Sequence, residues 1–317
     1  MLKRLIARSP RGEYTCLVDK AYNELLDVHD DNFSELFSLL AESLKVSISI
    51  NREQPILEDL LYSSDMFVLG CPTRAKLEKD DIELIVKYVR EGGNLLVISD
   101  AGGDLANKTN LNDLVNAFGI EIESTTVRDS RNVGSVVSPI LDNVNISHVS
   151  NKNVIRVVAG GGTTLLIQEP AVALFSTGKT SVIEKYSPRD SNAWKIVKVG
   201  ENYPMAAACM HGQGKVVVCG DVDMFSNDPE FGANAFDNGT FIKNIFSWFL
   251  APVETSTVLD WLISRVTTLE NTCNVLSKSY EQLALENEKL KKMLKEMRPG
   301  SEGEFSIIKN DTAENIG

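Results

Sequence analysis

Runs rich in apolar residues alternate with amphipathic, helix-length segments through the first hundred residues, and this order restricts the possible fold more than any other feature. Two segments, at about 32–44 and 77–91, repeat apolar residues every three or four positions, as amphipathic helices do. Buried strands that are separated by helices predict a parallel sheet with helices on both faces. The four strand-like runs are residues 14–18, 46–50, 66–70 and 94–99.

The middle of the chain has a different pattern. Between about 127 and 200, short strand-like runs are punctuated by glycine and proline and lack a strong helical period. Two further strand-like runs then precede an almost wholly apolar helical segment, for which Asp237 or Asn238 is a suitable N-cap. We therefore predict an α/β domain over 1–252, with a mostly parallel sheet sandwiched by helices and a β-rich middle section.

A heptad repeat begins after Pro252, where apolar residues alternate at spacings of four and three without a break. This period predicts a coiled-coil helix over 253–298; the alternative is a long helix packed back on the domain. Asn287 falls at an a position, which favours a parallel two-stranded dimer. The expected dimerisation seam is Leu262, Val266, Leu269, Cys273, Leu276, Tyr280, Leu283, Asn287, Leu290, Leu294 and Met297.

The remaining composition limits the classes of partner. The net charge of −12 opposes binding to nucleic-acid phosphate or to an anionic membrane surface. No apolar run approaches the ~20 residues of a membrane span, so we expect no membrane insertion. Five cysteines without a C-x-x-C pair indicate reduced thiols and a cytoplasmic location. The acidic, apolar-poor segment 299–317 predicts a disordered tail.

Two glycine-rich stretches resemble nucleotide-binding loops only superficially. Gly178, Lys179 and Thr180 would end a phosphate-binding loop, but Ala173 stands where its first glycine is required and no clear helix follows. Residues 159–164 lack the G-x-G-x-x-G spacing and open a strand rather than a helix. We interpret both as turns and expect no cofactor.

Cys71 follows a buried strand, a position at which α/β folds often place a nucleophile. A nucleophile elbow needs small neighbours and then a helix, whereas Pro72 follows this cysteine. A dyad with His211 is one hypothesis, and a buried, inert thiol is the favoured alternative. We expect no catalytic residue.

Several aspartates follow strand ends, which converge on one edge of a parallel sheet. Such a rim can hold a cation or the hydroxyl groups of a ligand, although aspartate also caps turns and helices at strand ends everywhere. The second interpretation is favoured, and no metal site is predicted. The ligand-binding candidates are Asp19, Asp100, Asp104, Asp221 and Asp223.

Four segments in the same order resemble the GIFT domain family: residues 67–103, 118–122, 169–179 and 212–228. The resemblance covers about 14–250 and is greater to the intraflagellar-transport branch of the family than to the bacterial gliding-motility branch. It implies a fold similar to class I glutamine amidotransferases, without their nucleophile elbow. The chain differs from the family in ending with a coiled coil rather than a long partner-binding region.

The resemblance implies a non-catalytic domain that assembles multiprotein complexes, and sugar binding has been suggested for it. Combined with the heptad seam, it predicts a scaffold or adaptor that forms a parallel coiled-coil dimer and binds other proteins of a larger complex. A carbohydrate- or small-ligand-binding module is the alternative. A Cys71-dependent hydrolase is a further alternative.

Overall fold

The computed structural model describes residues 14–189 and 193–252, residues 286–292, and a few single positions between them (266, 273, 277, 280, 283 and 284). The chain forms two compact units, Met1–Val258 and Leu259–Gly317. The described part of the first unit contains the sheets and helices that follow.

The strands of this unit come in three groups along the chain. The first four alternate with helices, as the apolar pattern predicted. They are followed by a series of shorter strands and by a long final hairpin. The strands are β1 (Tyr14–Asp19), β2 (Val46–Asn51), β3 (Met66–Gly70), β4 (Asn94–Ile98), β5 (Ile120–Ile122), β6 (Thr125–Asp129), β7 (Ile140–Leu141), β8 (Asn143–Val144), β9 (Val157–Val158), β10 (Leu165–Ile167), β11 (Val172–Ser176), β12 (Ser181–Tyr186), β13 (Trp194–Val199), β14 (Pro204–His211) and β15 (Gly214–Cys219).

The helices of the described part are mostly short. The helical segment predicted at 32–44 changes type along its length: a 3-10 turn, Asp31–Phe33, leads into an α-helix and then a π-turn, Leu39–Ser43. Further 3-10 turns are Asn116–Phe118, Val149–Asn151 and Asp223–Phe225. The α-helices are α1 (Ser34–Ser38), α2 (Glu58–Tyr62), α3 (Lys79–Arg90), α4 (Gly103–Asn107), α5 (Leu111–Val115) and α6 (Asn238–Leu250).

An eight-stranded sheet forms the centre, in the order β2-β1-β3-β4-β15-β14-β11-β8. The five strands from β2 to β15 run parallel, whereas β14, β11 and β8 are antiparallel to their neighbours. The α/β class is therefore confirmed, but the sheet is mixed rather than mostly parallel. The cause is a tight hairpin, in which His211 pairs with Gly214 and reverses the chain between β14 and β15.

Helices cover both faces of this sheet. Along β15, Val216 and Val218 face a core that includes residues of α3 and α5. The alternate residues Val217 and Cys219 face a second core, with residues of α1 and α6. This alternation follows from the two-residue period of a strand, and it explains why β15 has no polar face.

The β-rich middle section forms smaller sheets, β13-β12-β6, β10-β5 and β7-β9.

Backbone amides of this section also bind the side chains at the start of α6. The Asp237 carboxylate does not cap the helix but accepts hydrogen bonds from the amides of Ile155, at 2.9 Å, and Arg156, at 3.1 Å. Asn238 accepts one from the amide of Val158 at 2.9 Å. Asp237 thus occupies the N-cap position, as predicted, but its side chain makes no capping hydrogen bond because the amides of Ile155 and Arg156 occupy it.

In the second unit, the described seam positions Val266, Cys273, Tyr280, Leu283, Asn287 and Leu290 are helical and exposed. The remaining seam positions, Leu262, Leu269, Leu276, Leu294 and Met297, lie outside the described residues, as does the tail predicted at 299–317. Within the described parts of both units, every helix is too short or too polar to cross a bilayer.

Candidate functional site

The carboxyl ends of the parallel strands bring several acidic groups to one edge of the sheet. Asp19 ends β1, Asp100 follows β4, and Asp221 and Asp223 follow β15. Cys71 follows β3 between them. The convergence predicted from the strand order is therefore observed for these residues.

Cys71 keeps one feature of a nucleophile elbow, because its backbone is in the left-handed region at φ 63°. Its thiol, however, is buried and faces carboxyl groups instead of a base. Burial, followed by Asp100, Asp221, Asp223 and the unpredicted Glu24, raises the pKa of the Cys71 thiol well above its ordinary value of 9.0. Burial and the neighbouring carboxyl groups therefore both disfavour a thiolate at Cys71.

His211 is too far away to act as a base for Cys71. His211 pairs with Gly214, at the start of β15. Gly70 pairs with Ile98, which in turn pairs with Cys219 at the end of β15. Cys71, one residue beyond Gly70, therefore lies just past the end of β15. Six residues of strand separate the two levels, roughly 20 Å at about 3.3 Å per residue. The hypothesis of a Cys71–His211 dyad is wrong.

Asp221 is the most deeply buried acid of this edge. Its Oδ2 accepts a hydrogen bond from the amide of Gly160 at 2.8 Å, while Oδ1 has no hydrogen-bond partner in the described structure. Burial, and then the charges of Asp100 and Asp223, raise its pKa well above the ordinary 3.8. Burial and the two neighbouring acids therefore disfavour the ionised form of this carboxyl group.

Asp100 and Asp223 are half-buried and form the more open side of the group. Burial raises the pKa of Asp100. Burial, followed by the charges of Asp100 and Asp228, raises the pKa of Asp223 to about 6. Both groups therefore resist ionisation, Asp100 because it is buried and Asp223 because burial and nearby carboxylates disfavour a further negative charge.

Glu24 was not predicted from the sequence. It is buried, its Oε2 accepts a hydrogen bond from the amide of Tyr22 at 3.2 Å, and its Oε1 has no partner in the described structure. Burial, and then the neighbouring carboxyl group of Asp19, raise its pKa to about 9. A β-bridge to Pro72 places it beside Cys71, and no local sequence pattern signals that contact.

Two of the five predicted aspartates, Asp19 and Asp104, lie outside this group and have partners of their own. Asp19 accepts hydrogen bonds from the Asn51 side chain at 2.7 Å and from the Ala21 amide at 3.2 Å. Its interaction with the other acids of this edge is with Glu24, whose pKa it raises. Asp104 accepts bonds from Thr109 and from the first amides of α5, so it acts as a cap. We define the acidic cluster as Glu24, Asp100, Asp221 and Asp223 around Cys71.

The glycines of residues 159–164 lie against this cluster. A Cβ on Gly160 would lie 2.3 Å from the Cβ of Asp223, and one on Gly162 would lie 2.2 Å from the carbonyl oxygen of Gly220. The interpretation of a flexible turn therefore misses their role, since the absence of side chains lets the segment pack on Asp221 and Asp223. The turn at 178–180 joins β11 to β12, and Thr180 donates to Asp129 at 2.6 Å.

Two other features bear on binding. A groove of about 580 Å³ is lined in part by Leu166, Lys198 and Tyr203. The ammonium group of Lys198 is already paired with Glu123 at 2.9 Å, so the groove offers no uncompensated charge at this position. Among the described residues, no group of three or more histidine, cysteine or acidic side chains is arranged to hold a metal ion.

Fold and site together define an open-sheet α/β domain with a strained turn at the nucleophile position and an inert thiol in it. Residues 15–132 match the family model described as the IFT52 GIFT domain. The resemblance to the GIFT domain family seen in the sequence is therefore confirmed, and the family model covers these residues of the chain.

Individual relatives extend the match beyond the family model. The chain is 24% identical over 257 residues to the intraflagellar transport protein 52 homolog of Mus musculus, covering 72% of this chain and 54% of that one. The Homo sapiens homolog is also 24% identical, with 52% of its length covered. The chain thus spans about half the length of these curated relatives.

One solved structure has the same fold. The mmIFT52 N-terminal domain superposes with a TM-score of 0.62 at 21% identity, over 75% of this chain and 99% of that chain.

An exo-beta-D-glucosaminidase of Pyrococcus horikoshii is 26% identical over 167 residues, which are 52% of this chain but 21% of the enzyme.

Proposed function

We propose that this chain is a non-enzymatic scaffold of a protein assembly related to intraflagellar transport, acting in the cytoplasm. The observation that carries the proposal is the GIFT domain with an inert Cys71 at the nucleophile position. A domain that keeps the strained turn but buries a protonated thiol among carboxyl groups is suited to presenting a surface rather than to acyl transfer. The named relatives are intraflagellar transport proteins, which supports a role in complex assembly.

The scaffold is proposed to dimerise through a parallel coiled coil. In the described helical residues, Tyr280, Leu283 and Leu290 are 75%, 60% and 56% exposed, although they occupy a and d positions of the heptad. Burying such side chains in a partner helix contributes about 1.5–3 kcal/mol each. Asn287 lies between them, where pairing with its symmetry mate favours the two-stranded, in-register form.

Light scattering on the full chain tests the dimer. The monomer mass is 34.9 kDa, so a dimer has twice that value. Leu290→Glu places a charge in the seam of both helices and removes about 3–6 kcal/mol of burial per dimer. Lys289→Glu, one residue earlier at an outward c position, is the matched control because it adds negative charge outside the seam.

The expected result is a dimer for the wild type and for Lys289→Glu, and a shift toward monomer for Leu290→Glu. At about 1.4 kcal/mol per tenfold, the weakening is about 100-fold or more. A wild-type chain that remains monomeric at micromolar concentration contradicts the dimer. Equal masses for both variants would exclude this seam as the interface.

A second candidate function is binding of a small polar ligand, a carbohydrate included, at the acidic cluster. It is favoured by the half-buried carboxyl groups of Asp100 and Asp223, which follow the adjacent strands β4 and β15 at the edge of the sheet where open α/β folds bind ligands. A panel of neutral polyols, sugars and amines tests this function by thermal shift, since a ligand of the native state must raise the Tm. An unchanged Tm with every compound contradicts it.

A further inference from the structure

The segment between β8 and β9 runs along one side of α6. Near the end of the helix, the ring of His148 packs edge-on against Trp248, with 4.8 Å between the ring centroids. At the start of the helix, the Asp237 carboxylate accepts a hydrogen bond from the amide of Arg156 at 3.1 Å. The segment therefore follows the helix from its last turn back to its first, over about 16 Å at 1.5 Å per residue.

Three exposed basic side chains lie along this segment and on the helix beside it. Lys152 is level with the middle of α6, because its carbonyl accepts a hydrogen bond from the Asn244 side chain at 2.8 Å, and Lys243 is the residue before that asparagine. The guanidinium group of Arg156 lies over the ring of Phe236, 4.7 Å from its centroid. In the described structure none of the three basic groups forms an ion pair, on a chain whose net charge is −12.

Two acids near these basic groups are already engaged. Oδ2 of Asp237 accepts hydrogen bonds from the amides of Ile155 and Arg156. Asp142 pairs with Arg131 at 2.7 Å, and its pKa is lowered first by that partner and only last by Arg156. Even with Asp237 counted, three cations against one carboxylate leave this surface positive.

Exposed apolar side chains alternate with the charges along the same path. Ile146 and Ile155 are 82% and 75% exposed, and Val149 and Phe236 are exposed as well. Single exposed apolar residues are ordinary, whereas a group of them on one surface of a soluble protein marks an interaction site. We define the basic strip as Lys152, Arg156 and Lys243 together with Ile146, Val149, Ile155 and Phe236.

The partner of such a surface must carry apolar groups and negative charge together. A nucleic acid supplies the charge but binds chiefly through its phosphates, which leaves the apolar side chains uncovered. An anionic membrane supplies both, but each basic residue strengthens membrane attachment only about fivefold, and the net charge of −12 opposes it. An acidic protein segment meets the chain at the strip alone, so the screened charges elsewhere on the chain repel it less than they repel an extended anionic surface.

We propose that the basic strip docks an acidic segment of a partner protein that also carries apolar side chains. A helix of about three turns matches the roughly 16 Å of the strip and presents apolar side chains every three or four residues on one face. This inference rests on the proposed scaffold function and names the surface and the class of partner. It does not depend on the coiled-coil dimer.

The test selects binders of the full chain from a displayed library of random peptides about 16 residues long, enough for four helical turns. One selected peptide is then synthesised with blocked ends, and its affinity is measured by fluorescence polarisation. Lys152→Glu/Lys243→Glu reverses two charges of the strip. Arg52→Glu/Lys76→Glu is the matched control, because it makes the same charge change at two exposed positions elsewhere.

The selected peptides should be rich in acidic and apolar residues and should bind the wild type and the charge control alike. We expect an affinity at least tenfold lower for Lys152→Glu/Lys243→Glu at about 50 mM salt, and a smaller ratio at about 500 mM, where the charges are screened. Ile155→Ser should lower the affinity about tenfold because the peptide no longer covers an apolar side chain. Ile196→Ser, an exposed isoleucine of β13, should leave it unchanged.

Selected peptides without acidic residues, or equal affinity for the wild type and Lys152→Glu/Lys243→Glu, would overturn the strip as the docking site. If no acidic peptide is selected but vesicles with about one-quarter phosphatidylserine bind in a strip-dependent way, a membrane replaces the protein partner. Light scattering on the same variants separates this inference from the scaffold. A dimeric chain that binds no peptide contradicts the strip alone, whereas a monomeric chain that binds no peptide contradicts the scaffold as well.

Discussion

Replacing Glu24 by glutamine should make the stability of the domain less sensitive to pH. Glu24 lies buried at the acidic cluster, near the carboxyl group of Asp19. Glutamine has nearly the same shape, can donate to Asp19 through its amide, and can accept from the Tyr22 amide as Glu24 does. The variant therefore keeps the contacts and removes the titration.

The magnitude follows from the raised pKa of Glu24, about 9 against an ordinary 4.5. Between about pH 5 and 8 the folded protein keeps the proton on Glu24, while the unfolded chain has lost it. As the pH rises through this range, Glu24 therefore lowers the free energy of unfolding of the wild type by about 1.4 kcal/mol per pH unit. The full stabilisation from the retained proton is present only below about pH 4.5, where the unfolded chain also binds it. Over about three pH units the Glu24→Gln variant gains about 4 kcal/mol relative to the wild type.

Urea unfolding, followed by tryptophan fluorescence at about pH 5, 6, 7 and 8, measures this difference. We expect the unfolding free energy of Glu24→Gln minus that of the wild type to rise steadily with pH. Glu121→Gln on the surface of β5 should show a flat difference over the same range. A flat difference for Glu24→Gln, or one that falls with pH, would refute the assignment of a retained proton to Glu24.

Three further predictions concern other contacts of the chain. Cys71 should resist iodoacetamide in the folded chain at about pH 7.5 and react once the chain is unfolded in urea, as mass spectrometry would show. Rapid labelling of Cys71 in the folded chain would reinstate the nucleophile. Asn227→Ala should lower the free energy of unfolding by about 1–2 kcal/mol, because the Asn227 side chain accepts a hydrogen bond from the Glu35 amide at 3.1 Å and donates one to the Ser34 hydroxyl at 2.8 Å. An unchanged midpoint of urea unfolding would contradict a stabilising role for Asn227. Lys215→Met should cost about 2–3 kcal/mol by calorimetry, because the carbonyls of Trp248 and Ala251 at the end of α6 lose their donor, and equal stability would contradict that role.

The parallel half of the sheet was predictable because its strands are apolar on both faces. Phe67 and Leu95 face one core while Val68 and Leu96 face the other, and that continuous apolar run is visible in the sequence. The direction of β14 was not predictable in the same way. A buried strand has the same apolar pattern whether its neighbour is parallel or antiparallel, and only the short hairpin at His211–Gly214 decides the matter.

The acidic cluster was predictable in part, for a related reason. Asp221 and Asp100 closely follow strands, so the sheet edge alone brings them together. Glu24 depends on a bridge to Pro72, a contact between distant parts of the chain that local pattern does not encode. Asp104 was misplaced because a carboxylate after a strand also makes a good cap, and here the amides of α5 take it.

The central claim, a scaffold held as a parallel in-register dimer, is tested most directly by Cys273. This residue is the exposed one among the five cysteines and lies at an a position, where a parallel dimer places it opposite its own copy. The measurement is disulfide cross-linking of the full chain under mild oxidation, read on a non-reducing gel over a range of dilutions. The account predicts a covalent dimer whose yield does not depend on dilution down to micromolar concentration, and which is absent in Cys273→Ser. A chain that stays monomeric, or one that cross-links in proportion to concentration and equally well with Leu290→Glu, would contradict it.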